Sequence, residues 1–283
     1  MALNSVNTNM GAMVALQSLN ATEAQLASTQ KQISTGYRVA DATDDGAAFA
    51  IAQGIRSTVG SLTTANQQLG NVQGLLSTTS SALNNISTTM ASMRNVLVDL
   101  ATSSVTGDQR TEYENQYQSM LSNVQSFIQD ASYEGKTLIG NITGSTGTFG
   151  TTAVTRNESG NLYTIATIGG SELYGSINVG TSVLASATEV QALLTTTGTF
   201  LNIQAKIGTA LNTVGNSTNY INNQITYNNT KIDALNSGLG SLVDAKLAQE
   251  SAQLTALQIR QQLGTQALSL ANQAPQTLLS LFK

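Results

Sequence analysis

The chain has 283 residues, a net charge of −4 from 12 Lys+Arg against 16 Asp+Glu, and only 10% charged and 5% aromatic residues. It has no Cys, no His, no Trp and one Pro, which excludes disulfides, thiol or imidazole catalysis, Ser-His-Asp triads and zinc sites built on Cys or His. Lys31, Arg38, Arg56, Arg94 and Arg110 are scattered rather than striped, so nucleic-acid binding is not expected. No run approaches the ~18 apolar residues of a membrane span. The first 30 residues carry no Lys or Arg and form no secretory signal, which usually means the cytosol but does not exclude export by a route that reads no cleavable signal.

In chain order, Leu3, Val6, Met10, Met13, Leu16, Leu19, Leu26 and Ile33 predict a weakly apolar helix over Leu3–Ile33. A loop with Arg38, Asp44 and Asp45 follows. Either carboxylate suits the N-cap of the next helix, and Arg38 is placed to pair with one of them. From Ala47 to Leu100 the pattern is strong. Steps of seven from Ile55 meet Leu62, Leu69, Leu76, Leu83, Met90 and Leu97, and a second series runs Thr58, Ala65, Val72, Thr79, Ile86, Met93 and Leu100. This is a heptad stripe. Gly54, Gly60, Gly70 and Gly74 each cost up to about 1 kcal/mol of helix propensity, so such a helix needs packed partners.

Two partners are legible. After the turn Val105-Thr106-Gly107-Asp108, a shorter helix carries Tyr113, Tyr117, Met120, Val124, Phe127 and Ala131. Residues 200–240 form the other, with Ile207, Val214, Ile221, Asn228, Leu235 and Leu242 in steps of seven. Asn228 interrupts that stripe. It either fixes register or, the simpler reading, faces a wet seam. Residues 141–199 are rich in Gly, Thr and Ser. They predict short strands at Asn161–Ile168 and Ser176–Val179 in a hairpin region, and a short helix near Thr188–Leu194.

Past Asp244 and Lys246, a last helix carries Leu247, Leu254, Leu257, Leu263, Leu268, Leu270, Leu278 and Leu281 among many amides, with Pro275 expected to break or kink it near Asn272–Ala274. The fold class is mainly α: a long coiled-coil-like helical bundle formed by the N- and C-terminal segments, with a small β-hairpin region in the middle. The expected organisation is 1–43 with 244–283 as terminal helices, 44–140 with 200–243 as a bundle, and 141–199 as a short outer region. The terminal helices bury too little alone to offset their ordering entropy and are expected to order only against partner helices.

Several motifs in order resemble bacterial flagellin. They are Val6-Asn7-Thr8-Asn9 near the start, Ile33-Ser34-Thr35-Gly36-Tyr37-Arg38-Val39 with Ala42-Thr43-Asp44-Asp45-Gly46-Ala47 and Ala50-Ile51-Ala52, then Tyr133-Glu134-Gly135-Lys136-Thr137-Leu138-Ile139, and finally Gln261 through Gln276 with Leu278-Leu279-Ser280-Leu281-Phe282-Lys283. The resemblance covers roughly 1–140 and 200–283. It implies a structural, non-enzymatic subunit of the extracellular flagellar filament, without cofactor or metal, that polymerises with itself and with other flagellins. It further implies type III export, a chaperone shielding the C-terminal helix, a filament cap and hook-junction proteins as partners, and no membrane insertion. The terminal helices would form the innermost filament layer and the heptad helices the next. Hook–filament junction proteins share these helices, and an adhesin on the same scaffold is a further alternative. Two departures stand out: Asn95 and Val96 stand where many flagellins present charges to a toll-like receptor, and Lys246 and Gln249 stand where an acidic and a basic residue are expected.

Overall fold

The computed structural model describes residues 8–195 and 197–281, with side chains up to Gln273. In chain order the elements are α1 (Met10–Thr35), α2 (Gly46–Leu100), α3 (Asp108–Gln129), β1 (Lys136–Thr137), β2 (Thr148–Phe149), β3 (Thr152–Thr155), β4 (Leu162–Ile165), α4 (Gly170–Ile177), α5 (Thr181–Leu184), α6 (Ala187–Leu193), α7 (Thr199–Val243) and α8 (Leu247–Leu281). They form two compact units. One comprises the residues up to Thr58 and those from Asp233 on; the other is Val59–Ile232.

The second unit is built on the α2 heptads. Leu62, Leu69, Leu76, Leu83, Met90 and Leu97 are all 0% exposed. The second series adds Val72, Ile86, Met93 and Leu100; of its two polar members Thr58 is half-buried, and Thr79 is buried with its hydroxyl donating to the Leu75 carbonyl at 2.8 Å. Ile207, Val214 and Ile221 of α7 are buried in the same core. On α3 the buried line is Tyr117, Leu121, Val124 and Ile128, whereas Tyr113, Met120 and Phe127 pack half-buried beside it. The α3 stripe is two residues wide, and spacing alone could not choose its centre line.

Asn228 does not face a wet seam. It is 0% exposed. Its amide donates to Asn66 Oδ1 at 2.8 Å and to the Arg156 carbonyl at 3.0 Å, and its oxygen accepts from Gln224 at 3.0 Å. Every capacity but one lone pair is used, which makes burial of the amide tolerable. Asn66 also bonds Asn229, and Gln73 bonds Asn222, so a row of amides joins α2 to α7.

The central region holds one antiparallel hairpin, β3 with β4, paired Thr152 to Ile165 through Thr155 to Leu162. A minimal parallel pair joins β1 to β2. The hairpin is held on α7 by Arg156 bonding the Tyr220 hydroxyl at 3.1 Å, by Tyr163 stacked on Tyr220 at 4.1 Å, and by a Glu158–Lys231 ion pair. That ammonium holds the Glu158 carboxyl below its ordinary range. Ser176–Val179 is not a strand; Ser176 and Ile177 end α4. Leu173 and Ile177 are buried one helical turn apart, and the buried Tyr117 hydroxyl bonds the Ile177 carbonyl at 2.7 Å. Four alternating residues are too few to distinguish the two periods. The expected short helix near Thr188–Leu194 is α6.

Candidate assembly surface

In the first unit, α1 and α8 pair antiparallel. Contacts advance along α1 as they retreat along α8: Asn9 bonds Ala271, Leu19 lies against Gly264, and Gln261 bonds Glu23 at 3.4 Å. The seam repeats in threes and fours, Leu19, Thr22, Leu26, Thr29 and Ile33 against Leu254, Leu257, Gln261, Gly264 and Leu268, all buried or half-buried. Only Leu19 and Leu257 are fully buried apolar residues of this pair among the described residues. Thr22 and Thr29 are equally buried. Continuing the three-four phase from Leu19 finds both, but as polar residues they do not register in an apolar pattern.

The apolar residues of the two helices therefore divide. Leu26, Ile33, Leu254 and Leu268 are half-buried in the seam. Met10, Met13, Leu16 and Leu263 point away from it, at 52%, 59%, 48% and 59% exposure. Val14, Leu247, Ile259 and Leu270 are exposed as well. Leu3 and Val6 lie outside the described residues, as do the side chains of Leu278 and Leu281. Against expectation, α8 continues unbroken through Pro275. The carbonyl that proline leaves without a donor is served from α1, as shown below.

The loop joining α1 to α2 is tied to the end of α7. Tyr37 bridges Asp244, the Arg38 and Val39 amides donate to the Val243 carbonyl at 2.7 and 3.3 Å, and Ala245 donates to the Gly36 carbonyl at 2.9 Å. Val39, Ala48, Ala52 and Val243 close a small core there. Leu235 is half-buried. Asp45 is the cap of α2, accepting from the Ala47 and Ala48 amides at 3.1 and 3.0 Å. Asp44 instead folds the loop, accepting from Ala40 at 3.0 Å and Asp41 at 3.2 Å.

Arg38 pairs with neither carboxylate. Its guanidinium donates to the Leu242 carbonyl at 2.5 Å, near the C-terminus of α7 where cations are favoured. Lys31 takes the ionic role, 2.7 Å from Asp41 and 2.8 Å from Asp44. Its ammonium is the main reason both carboxyls lie below their ordinary range, helped by Thr43 at Asp41 and by the Ala40 amide at Asp44. Asp41, Asp44 and Lys31 were not legible as a group because Lys31 and Asp41 are ten positions apart with the end of α1 between them. The Lys246 side chain is exposed, and its carbonyl opens α8 by accepting from Gln249 at 2.8 Å and Glu250 at 3.0 Å.

The pair thus has a thin seam, exposed apolar residues on both helices and many neutral amides. Residues 6–143 match the bacterial flagellin N-terminal helical region, and residues 199–282 match the bacterial flagellin C-terminal helical region. The chain belongs to the flagellin family. Flagellin FljM of Caulobacter vibrioides is 32% identical over 287 residues, covering all of both chains. A flagellin of Brucella melitensis is 33% identical over 298 residues, covering 99% of each. A putative flagellar hook-associated protein from Vibrio parahaemolyticus, 18% identical with a TM-score of 0.59 over 71% of this chain and 100% of its own, shares the fold. As a flagellin, the protein is a structural subunit of the bacterial flagellar filament that serves motility, and it polymerises.

Proposed function

We propose that the exposed apolar stripe of α1 and α8 is the surface through which copies of this chain join. The observation that carries this is the distribution of exposed large apolar side chains: Met10, Met13, Val14 and Leu16 lie on α1, and Leu247, Ile259, Leu263 and Leu270 on α8. A monomer rarely exposes so many large apolar side chains on two paired helices unless partners cover them. Full burial is worth about 1.5–3 kcal/mol per such side chain, which over eight half-exposed residues offsets the cost of association. Contacts between unlike faces that do not close on themselves extend into an open helix of one subunit type.

In this reading the terminal helices form the inner layer of the filament and the bundle of α2, α3 and α7 lies outside it, with residues 141–199 outermost. The subunit is exported by the flagellar type III route, its C-terminal helix held by a chaperone beforehand, and it adds beneath a cap on a filament begun by hook-junction proteins. A junction protein has the same fold, but the full-length identity to flagellins favours the filament subunit.

Seeded growth of the full chain, followed by light scattering and electron microscopy, tests the surface. Met13→Glu and Leu263→Glu, each placing a charge on the stripe, should abolish elongation while leaving the urea unfolding of the bundle unchanged. Variants that elongate like the parent would refute the assignment.

A further inference from the structure

Asn9, the residue before α1, serves two helices at once. Its Oδ1 accepts from the Ala12 amide at 3.0 Å and caps α1. Its Nδ2 donates to the Ala271 carbonyl at 2.7 Å, 262 residues away in sequence. Within an α-helix the carbonyl of residue 271 is bonded by the N–H of residue 275. Residue 275 is the protein's single proline and has no N–H. The Asn9 amide therefore supplies the donor that α8 cannot. The approach is close here: a Cβ on Gly11 would stand 3.4 Å from Asn9 Oδ1 and 3.8 Å from the Ala271 Cβ.

We propose that Asn9 is the register pin of the assembling helix pair, a positioning residue that selects one axial alignment of α1 against α8 by completing the α8 ladder at Pro275. The rest of the seam specifies register weakly. Leu19, Leu26 and Ile33 repeat every seven residues, as do Leu254, Gln261 and Leu268, and a slide of one heptad would again set small and apolar residues together. Thr22, Thr29 and Gly264 add little shape to resist it. The vacant carbonyl is unique, because α8 contains one proline, and a slide of one heptad leaves it unbonded and uncaps the match to Asn9. The pin thus converts a forgiving seam into one alignment, as a single buried polar pair does in a coiled coil. It rests on the reading of α1 and α8 as the assembly surface.

A double-substitution cycle in the full chain tests it. Asn9→Ser keeps an N-cap but is too short to reach Ala271. It should raise the critical concentration for seeded growth about tenfold. In a Pro275→Ala background residue 275 again has an N–H, and the same substitution should change it less than about twofold. An equal effect in both backgrounds, or none in the parent, overturns the pin.

Cross-linking gives a second readout. The chain is free of Cys, and a Cβ on residue 264 would lie 3.9 Å from the Leu19 Cβ, within the ~3.5–4.5 Å of a disulfide. Leu19→Cys with Gly264→Cys should close within one chain under mild oxidation. Asn9→Ser should lower that yield several-fold in the parent and change it less than about twofold in the Pro275→Ala background, where the carbonyl is already bonded within α8. Yields indifferent to both substitutions, or no closure in the parent, overturn the pin. Failure of the unsubstituted chain to form filaments would strike the assembly reading instead, with the cross-link yield of the soluble chain still deciding the register.

Discussion

Single side chains in this protein act mainly by satisfying backbone groups that its helix ends leave open. Arg110 shows the principle. Its guanidinium, near the start of α3, reaches the carbonyls of Leu100 at 3.0 Å, Val105 at 3.2 Å and Leu184 at 2.6 Å. It thereby gathers the end of α2, the turn after it and the end of α5, with Glu114 3.8 Å away for charge. A planar fork of five donors can do this where a lysine cannot. Lys31 organises the loop before α2 in the same manner through Asp41 and Asp44. The carboxyls are depressed below 3.8, so their contribution is complete above that pH and is lost as pH falls through their lowered range; the Lys31 amine is raised above 10.5, so its share persists below that pH and is lost only beyond it. The loop should stay closed between these limits. Lys31→Met should shift its acid opening up toward pH 3.8. Pepsin cleavage beside Tyr37 just below that pH should be fast in the variant and slow in the parent, and equal rates would dissociate Lys31 from the loop.

At the scale of the element, glycines that look alike in a helix pattern have opposite reasons to be there. Gly70 and Gly74 both sit in α2. A Cβ at Gly70 would meet nothing within 4 Å, whereas one at Gly74 would lie 2.5 Å from the Tyr133 ring. Tyr133 is held there by a tight turn with Glu134 at φ 48 and Gly135 at φ 75, closed by paired bonds between Tyr133 and Lys136 of 2.8 and 3.0 Å. Gly70→Ala should therefore stabilise the bundle by about 0.5–1 kcal/mol through propensity alone. Gly74→Ala gains the same propensity but displaces the ring, and should destabilise by about 1–3 kcal/mol. Urea unfolding of the two variants decides it, and a common sign would contradict the packing described. The amide row of Asn66, Gln73, Asn222 and Asn228 belongs to the same scale. It binds α2 to α7 where leucines would pack more tightly but specify alignment less.

For the molecule as a whole, the two units hold together differently. Val59–Ile232 has a continuous apolar core running through α2, α3, α7 and the hairpin. The other unit rests on a thin helix seam and the small cluster of Val39, Ala48, Ala52 and Val243. A chain lacking residues 1–40 and 244–283 should remain monomeric, helical by circular dichroism and cooperative in unfolding, because it keeps the large core and loses the exposed stripe. Filaments formed by this truncated chain would remove the terminal helices from the assembly reading.

How much was legible in advance follows from which physics is local. Heptad repetition of Leu62 through Leu97 determined α2 and its buried face, since burial of a long helix demands that period. The absence of Cys and His removed whole classes of chemistry, and the motif order at both ends pointed to the family. Tertiary structure alone decided matters that depend on distant partners. Whether Asn228 is wet or buried turned on Asn66 and Arg156; whether Ser176–Val179 extends or coils turned on Tyr117. Which apolar residues of α1 meet α8 turned on the antiparallel register. What bonds the carbonyl that Pro275 leaves open depended on an amide 266 residues earlier in the sequence. Periodicity records how a segment meets its surroundings on average, while a hydrogen bond closes only when two particular groups arrive at one place.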